Sequence, residues 1–563
     1  MTWLAVAIMV ACFTTGVLYT LFYLRVGNRV SQLLPRDTLA YAVIDHPGQL
    51  REAFQNLELW TNTRPVRSAV RRQESDFVSH FLLDLGINRH VFGMIQDGVT
   101  HTHLALIPGA TKRHPAELLV FCEFDKPSIQ KTVEGRLSPF FEDGGREGGR
   151  AFQIRRLSNS TVTLVSIDGL LILGLGSAEG IRTILSHIES QPSGTIHDVE
   201  AFRTAWRSRH EQSNAFVYTS RSATQLAAYK ELDRRFPGIS KPLARLIPQM
   251  KKPTDGGVSI DLRVRGGNEF GAISLHSSKD GFHGLTNILG TNARTLLSAV
   301  PVTAELAATA AVTNPNELFE TMSGPAIEML SDMGFVDVGP PPYPWLNQIQ
   351  AESGVYFSDD LLAHINREVG VALVPSGDQL AWIFLCDLRI PKRALERISS
   401  LVSHYFKHQG DKDTTTVTMD DTGIYRAVRM LEANKAETAL CWTLESSTFL
   451  MAQSCATVIA ARTALQEEQG LATLPSVSKQ LASIENSASA IVVSRIEPLL
   501  ARTIFNTSLA APLAPNHVMV TGVEVESERI TFTGNMPVLS VWYVAGNLEK
   551  ESSPRPSRAT CNA

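Results

Sequence analysis

The chain predicts an α+β fold: an N-terminal transmembrane helix followed by two homologous units of antiparallel sheet with packed helices. Three observations carry that expectation. Residues 3–24 contain no charged side chain. A series of short motifs recurs in the same order, with partners 264 to 278 positions apart. Stretches such as "VSIDLRV" alternate apolar and polar residues with the period of a strand.

The uncharged run comes first. "WLAVAIMVACFTTGVLYTLFYL" has 22 residues, enough for a helix to cross a bilayer. No basic segment precedes it, so an uncleaved single-pass signal-anchor over residues 1–24 is preferred to a cleaved signal peptide. The lipid bilayer is then a partner, and residues 25–34 form a juxtamembrane linker. Arg25 and Arg29 follow the run, which by the positive-inside rule favours a cytoplasmic body, although long domains can be translocated despite such flanks.

The rest of the chain reads as a tandem duplication. At 563 residues it exceeds one ordinary core, and 44% hydrophobic with 19% charged residues describes a globular protein. "IDHPGQL" is answered by "VTNPNEL", aligning Pro47 with Pro315, and Pro35 upstream is answered by Pro301. "ALIPG" is answered by "ALVPSG", aligning Pro108 with Pro375. "FCEFDKP" and "LCDLRIP" pair Cys122 with Cys386, Glu123 with Asp387 and Pro127 with Pro391. Each unit opens on an apolar strand, then a proline-capped helix start, two strands, a helix after Pro127 or Pro391, and further short strands. In "VSIDLRV", Val258, Ile260, Leu262 and Val264 share one face, and Ser259, Asp261 and Arg263 the other, as in a half-buried antiparallel strand with helices on one side of its sheet. The first unit is expected over 35–278, a connector over 279–300, the second unit over 301–545, and a polar, proline-bearing disordered tail over 546–563.

These residues resemble a family of uncharacterised bacterial envelope proteins, the one labelled domain of unknown function 3352. The likeness is carried by Leu34, Pro35, Arg36, Asp37 and Thr38 followed by "LAYAVID", by "EVGVALVP" after Asp360 and Leu361, and by "LILGLGS" leading into a helix. It covers about residues 34–500 in short, structural motifs. The resemblance implies a membrane-tethered, extracytoplasmic (periplasmic) body of no known activity, and a binding or scaffolding body of that kind could take another envelope protein as a partner. It transfers no catalytic residue.

Chemistry is sparse. "GLGSAEG", with Gly174, Gly176 and Gly180, has the look of a nucleotide-binding turn, but the duplicate reads "AQSCATV" without glycine. A strand-to-helix turn with Ser177 as the cap explains it better, and no cofactor is expected. Histidines gather over residues 80–114. His101 and His103, two apart on a strand, would point to one face and are the candidate metal ligands, although no Cys or carboxylate beside them in sequence completes a set. Solvated or hydrogen-bonded histidines are the preferred reading, so no metal site is assigned. Cys122 and Cys386 read as small buried thiols, and Cys441 and Cys455 could pair in an oxidising compartment. A net charge of −4 gives no general attraction for nucleic acid, and none is expected as a partner. No G-x-S-x-G, H-E-x-x-H or P-loop occurs, so catalytic residues stay unknown and an enzyme is not the first expectation. The leading expectation is a membrane-anchored extracytoplasmic binding or scaffolding body. The alternative is an envelope enzyme, a hydrolase or metal-dependent, using the histidine-rich segment 80–114.

Overall fold

The computed structural model describes residues 30–55, 93–95, 98–111, 114–147, 149–156, 161–167, 169–190, 194–220, 256–265, 268–277, 282–320, 344–376, 379–410, 416–432, 435–484, 486–495 and 518–535. Of these, the residues up to Arg265 belong to one compact unit and those from Asn268 onward to a second.

Unit 1 contains β1 (Ala40–Asp45), β2 (Val99–Thr111), β3 (His114–Phe124), β4 (Glu142–Glu147), β5 (Arg150–Arg156), β6 (Thr161–Ile167), β7 (Leu170–Gly176), β8 (Ala215–Ser220) and β9 (Gly257–Arg265). They run antiparallel in the order β9-β8-β1-β2-β3-β7-β6-β5-β4. Helices α1 (Pro47–Gln55), α2 (Pro127–Leu137), α3 (Glu179–Ser190) and α4 (Glu200–Arg207) accompany them. Pro127 starts α2 because a first-turn residue needs no backbone N–H partner, and proline's fixed φ suits the helix. On one face of the sheet, Ile181, Ile184 and Leu185 of α3 and Phe202 of α4 pack against Tyr41, Val43, Ala105, Leu119 and Phe121. On the other face, Val133 and Leu137 of α2 pack against Cys122, Leu164, Leu171 and Leu173. Central strands therefore need apolar residues at consecutive positions, and "LLILG" of β7 is buried throughout. The outer strand β4, "EDGGRE", is mostly exposed and bulged between Asp143 and Gly145, where Gly145 takes φ +104°.

Unit 2 contains β10 (Asn268–His276), β11 (Leu306–Ala311), β12 (Ile365–Ser376), β13 (Gln379–Leu388), β14 (Thr416–Asp421), β15 (Arg426–Glu432), β16 (Lys435–Glu445), β17 (Thr448–Ala452), β18 (Ala490–Arg495), β19 (Val518–Val525) and β20 (Arg529–Gly534). Their antiparallel order is β10-β20-β19-β18-β11-β12-β13-β17-β16-β15-β14. Its helices are α5 (His283–Ile288), α6 (Pro344–Ser353), α7 (Pro391–Gly410), α8 (Cys455–Gln466) and α9 (Pro475–Leu481). Here α8 and α9 cover one face, with Val458, Ala461 and Val477 against Ala307, Ile383, Leu385 and Leu450. Helix α7 covers the other, with Ala394, Leu395 and Ile398 near Cys386, Trp442 and Phe449.

From β1 to β9 and from β11 to β19 the strand order is the same, and the register agrees in detail. Leu106 lies opposite Ala40 and Leu373 opposite Leu306, so Pro108 and Pro375, two residues on, hold equivalent places near the ends of β2 and β12. Cys122 pairs with Thr102 and Leu171, and Cys386 with Val369 and Phe449, again at equivalent places. Isolated bridges join Pro35 to Thr195 and Pro301 to Gly470.

The expected fold needs correction at several points. No helix among the described residues is long and apolar enough to cross a membrane. Even α7, with 20 residues, carries Lys392, Arg393, Glu396 and Arg397 in its first two turns. Residues 1–24, where the spanning helix was expected, lie outside the described residues, as does the expected tail 546–563. The described fold is thus antiparallel sheet with helices, without a single-pass transmembrane element. Helices lie on both sheet faces rather than one, which is why Ser259 and Asp261, expected on a wet face, are buried, with Asp261 Oδ2 accepting the His210 N–H at 2.8 Å. The expected linkers also carry core: Val30 and Leu34 are fully buried in unit 1, and Leu296, Leu297 and Val300 in unit 2. Strand β10, within the expected first unit of 35–278, pairs with β20 and groups with unit 2.

Candidate functional site

The candidate histidines sit in a polar cluster on the α3/α4 face of unit 1. Residues two apart on a strand share a face, so Tyr41 and Asp45 of β1, His101 and His103 of β2 and Glu123 of β3 all point the same way. Antiparallel register sets His101 opposite both Asp45 and Glu123. His101 Nδ1 lies 3.3 Å from Glu123 Oε2 and its Nε2 3.6 Å from Asp45 Oδ1. His103 Nε2 lies 3.4 Å from Glu123 Oε1, and its Nδ1 is 2.8 Å from the Tyr41 hydroxyl. With its proton on Nε2, His103 accepts from Tyr41 and faces Glu123 with a donor. Arg209, following α4, closes the row by pairing with Asp45 while its guanidinium lies 5.2 Å from the Trp206 ring centroid.

The electrostatics follow from this geometry. Burial alone would raise the Glu123 carboxyl, but the His101 and His103 rings beside it hold it down at about 2. Burial alone would lower His101, yet the close Glu123 and Asp45 carboxylates raise it above the usual histidine value. Tyr41 is pushed well above the phenol range by burial first and by the Glu123 charge second. Tyr41 and His103 have no exposed surface, while His101 and Asp45 keep about a fifth of their side chains in solvent.

His101 and His103 therefore converge on a carboxylate that lies far from them in sequence. Asp45 and Glu123 are the partners that sequence reasoning missed, because strand register rather than chain proximity brings them in. Among the described residues, no group of three or more His, Cys, Asp or Glu side chains is placed to hold a metal ion. His80 and His90, in the same histidine-rich stretch, lie outside the described residues. In unit 2 the equivalent strand positions are Ala307, Ala311, Glu368, Gly370 and Asp387. Only the last carboxylate persists, and it accepts from Asn366 at 2.8 Å.

The glycine-rich turn is occupied from within. Glu117 of β3 is 2% exposed and accepts the Gly180 N–H at 2.9 Å, and Ser177 Oγ hydrogen-bonds to the same carboxylate. Ser177 also accepts the Glu179 N–H at 3.1 Å. A carboxylate thus stands where a bound anion would meet the first turn of α3. A Cβ on Gly180 would come within 2.5 Å of Glu117 Oε2, so glycine serves this internal contact.

Among the described residues, a feature with room for a ligand lies in unit 2, on the α7 face. A half-open cavity of about 530 Å³ lies between the sheet, α7 and the π-helical turn Phe357–Leu361. Phe319, Phe357, Val369, Phe384, Val402 and Met451 contribute to an almost wholly apolar lining. Arg397 of α7 and Asp360 of the turn, 3.5 Å apart, tie two of its walls together. On the matching helix of unit 1, Gln130 of α2 donates to Ser166 Oγ and to the carbonyls of Ile167 and Leu170, and accepts the Gly169 N–H. Those bonds hold α2 against the β6–β7 turn. Ala394 stands at the same distance after Pro391 in α7 and offers no such bonds, whereas Ser399 further along receives Trp442 Nε1 at 3.2 Å and Arg426 Nη1 at 2.8 Å. Cys386 lines the cavity and, like Cys122, is buried, with its thiol pushed up chiefly by that burial.

No family model and no curated protein matches the chain. Solved structures similar to part of it include crystal form I of TP0453, at 12% identity over 44% of this chain and 78% of that one, with a TM-score of 0.24. Crystal form IV of TP0453 stands at 14% identity over 44% and 79%, with a TM-score of 0.25. At that similarity neither fold nor function carries over to this chain.

Proposed function

We propose that this chain is an extracytoplasmic binding protein whose second unit takes up the hydrocarbon part of an apolar or amphiphilic ligand. The observation in its favour is the apolar cavity beside α7. Its volume falls in the range of small-molecule sites, and its lining offers water almost nothing to hydrogen-bond. Burying ten methylenes at ~0.8 kcal/mol each would contribute about 8 kcal/mol before ordering costs, which sets a ceiling near micromolar affinity. The extracytoplasmic address rests on the resemblance to the envelope family.

The test is titration of the full chain with cis-parinaric acid, a fluorescent fatty acid. Saturable one-to-one binding is expected, and Val369→Trp, which fills the cavity, should weaken it at least tenfold. Equal binding by wild type and a natively folded V369W, or no saturable binding at all, would sink the reading.

The convergence of His101, His103 and Glu123 favours a second reading, an enzyme built on segment 80–114. The complete burial of Tyr41 and His103 weighs against it, since a substrate must touch the reacting groups. Ester hydrolysis by the wild type that is lost in His101→Ala, with lipid binding intact, would reverse the preference.

A further inference from the structure

On the other face of the unit 2 sheet, two cysteines from different elements meet. Cys441 lies on β16 with no exposed surface, opposite Ala452 of β17. Three residues beyond Ala452, Cys455 opens α8, partly buried and packed against the same core. Cys441 belongs to the core cluster against which Cys455 packs, and both thiols are free. In unit 1, the position opposite Gly174, equivalent to Ala452, is Thr163, whose hydroxyl donates to the Gly174 carbonyl at 3.3 Å, and the turn into α3 reads Gly-Ser-Ala-Glu. The thiol pair is thus a property of unit 2 alone among the described residues.

We propose that Cys441 and Cys455 form a redox-responsive pair that closes to a disulfide when the protein meets a disulfide oxidant. This inference is independent of ligand binding. Cys455 has exposed surface and Cys441 none, so the oxidant meets Cys455 first. The Cys455 thiolate attacks one sulfur of the oxidant, forming a mixed disulfide and releasing one thiol. Cys441 then loses its proton to solvent and attacks Cys455 Sγ, expelling the second thiol. Two thiols are oxidised to one protein disulfide, and the oxidant's disulfide is reduced to two thiols. The second step is the slower one at neutral pH, because burial holds the Cys441 thiol protonated. The product staples the first turn of α8 to β16.

The experiment uses the full chain with oxidised glutathione, followed by alkylation, non-reducing digestion and mass spectrometry. A peptide pair linked through Cys441 and Cys455 is expected, with two fewer titratable thiols and closure that accelerates with rising pH. Cys441→Ser should stop the reaction at a glutathione adduct on Cys455. In the wild type, a stable glutathione adduct on Cys455 without a linked peptide, or both cysteines recovered alkylated after a control dithiol has been fully oxidised, would overturn the proposal.

Discussion

Glu123→Gln should destabilise unit 1 in a pH-dependent way. In the folded chain the Glu123 carboxyl falls from its ordinary 4.5 to about 2. A lowered carboxyl contributes stability that is fully present above its unfolded pKa and is lost as pH falls through the folded one. The shift corresponds to about 3 kcal/mol at pH 7, shrinking to about 1 kcal/mol at pH 3. His101 sees the same interaction from its other end. Its raised value contributes stability below 6.5 that is lost as pH rises through its folded value, so the two effects share one source and do not add. Glutamine keeps a hydrogen-bonding carbonyl but no charge, and should flatten both limbs. Urea titrations read by pulsed hydrogen exchange on β2 and β3 peptides report unit 1 apart from unit 2. A deficit of the same size at pH 3 and pH 7, or none at pH 7, would show that the histidine–carboxylate contacts do not set this stability.

Glu368 should behave in the opposite sense. Burial raises it to about 7 against the lowering effect of the Thr295 and Leu296 N–H groups it accepts, so its contribution to unit 2 is present below about 4.5 and is lost as pH rises through about 7. Glu368→Gln should remove a slope of roughly 3 kcal/mol between those values, visible in urea titrations of β12 peptides at pH 5 and pH 8. Gln130→Ala should cost unit 1 about 2–3 kcal/mol, since it breaks the bonds to Ser166, Ile167 and Leu170 and strands buried carbonyls. Faster exchange in α2 and the β6–β7 turn would register it, and unchanged protection there would contradict the role given to Gln130.

Much of the repeat was legible because its markers are backbone-determined. Proline cannot donate to a ladder, so Pro108 and Pro375 survive only near strand ends, and both copies kept them at one register position. Pro127 and Pro391 mark helix starts for a related reason. The covering of the second sheet face was written in β6 and β7, where "TVTLVSI" and "LLILG" are too evenly apolar for a one-sided sheet. The spanning helix was read from local hydropathy over residues 3–24, and no described helix takes that role. Segments 25–34 and 279–300 looked like linkers because their polar residues hide spaced anchors, Leu34 in one and Leu296 and Leu297 in the other. The partners of His101 were illegible without register, since Asp45 and Glu123 come from strands distant in the chain. The cavity had no local signature at all. It arises where α7 and the Phe357–Leu361 turn stand over the sheet, and no single residue announces an empty volume.

The bulged outer strand of unit 1 bears on how any protein partner could attach there. An open sheet ends in a row of main-chain groups that a foreign strand could zip onto, which is the route of β-augmentation and of runaway polymerisation. In β4, Glu142, Asp143, Arg146 and Glu147 crowd that border with charge, and the kink at Gly145 breaks its straightness. An incoming strand would have to desolvate those charges and match a bent edge. A partner recruited at this border must therefore recognise side chains and shape, and copies of the chain are kept from stacking rim to rim through β4.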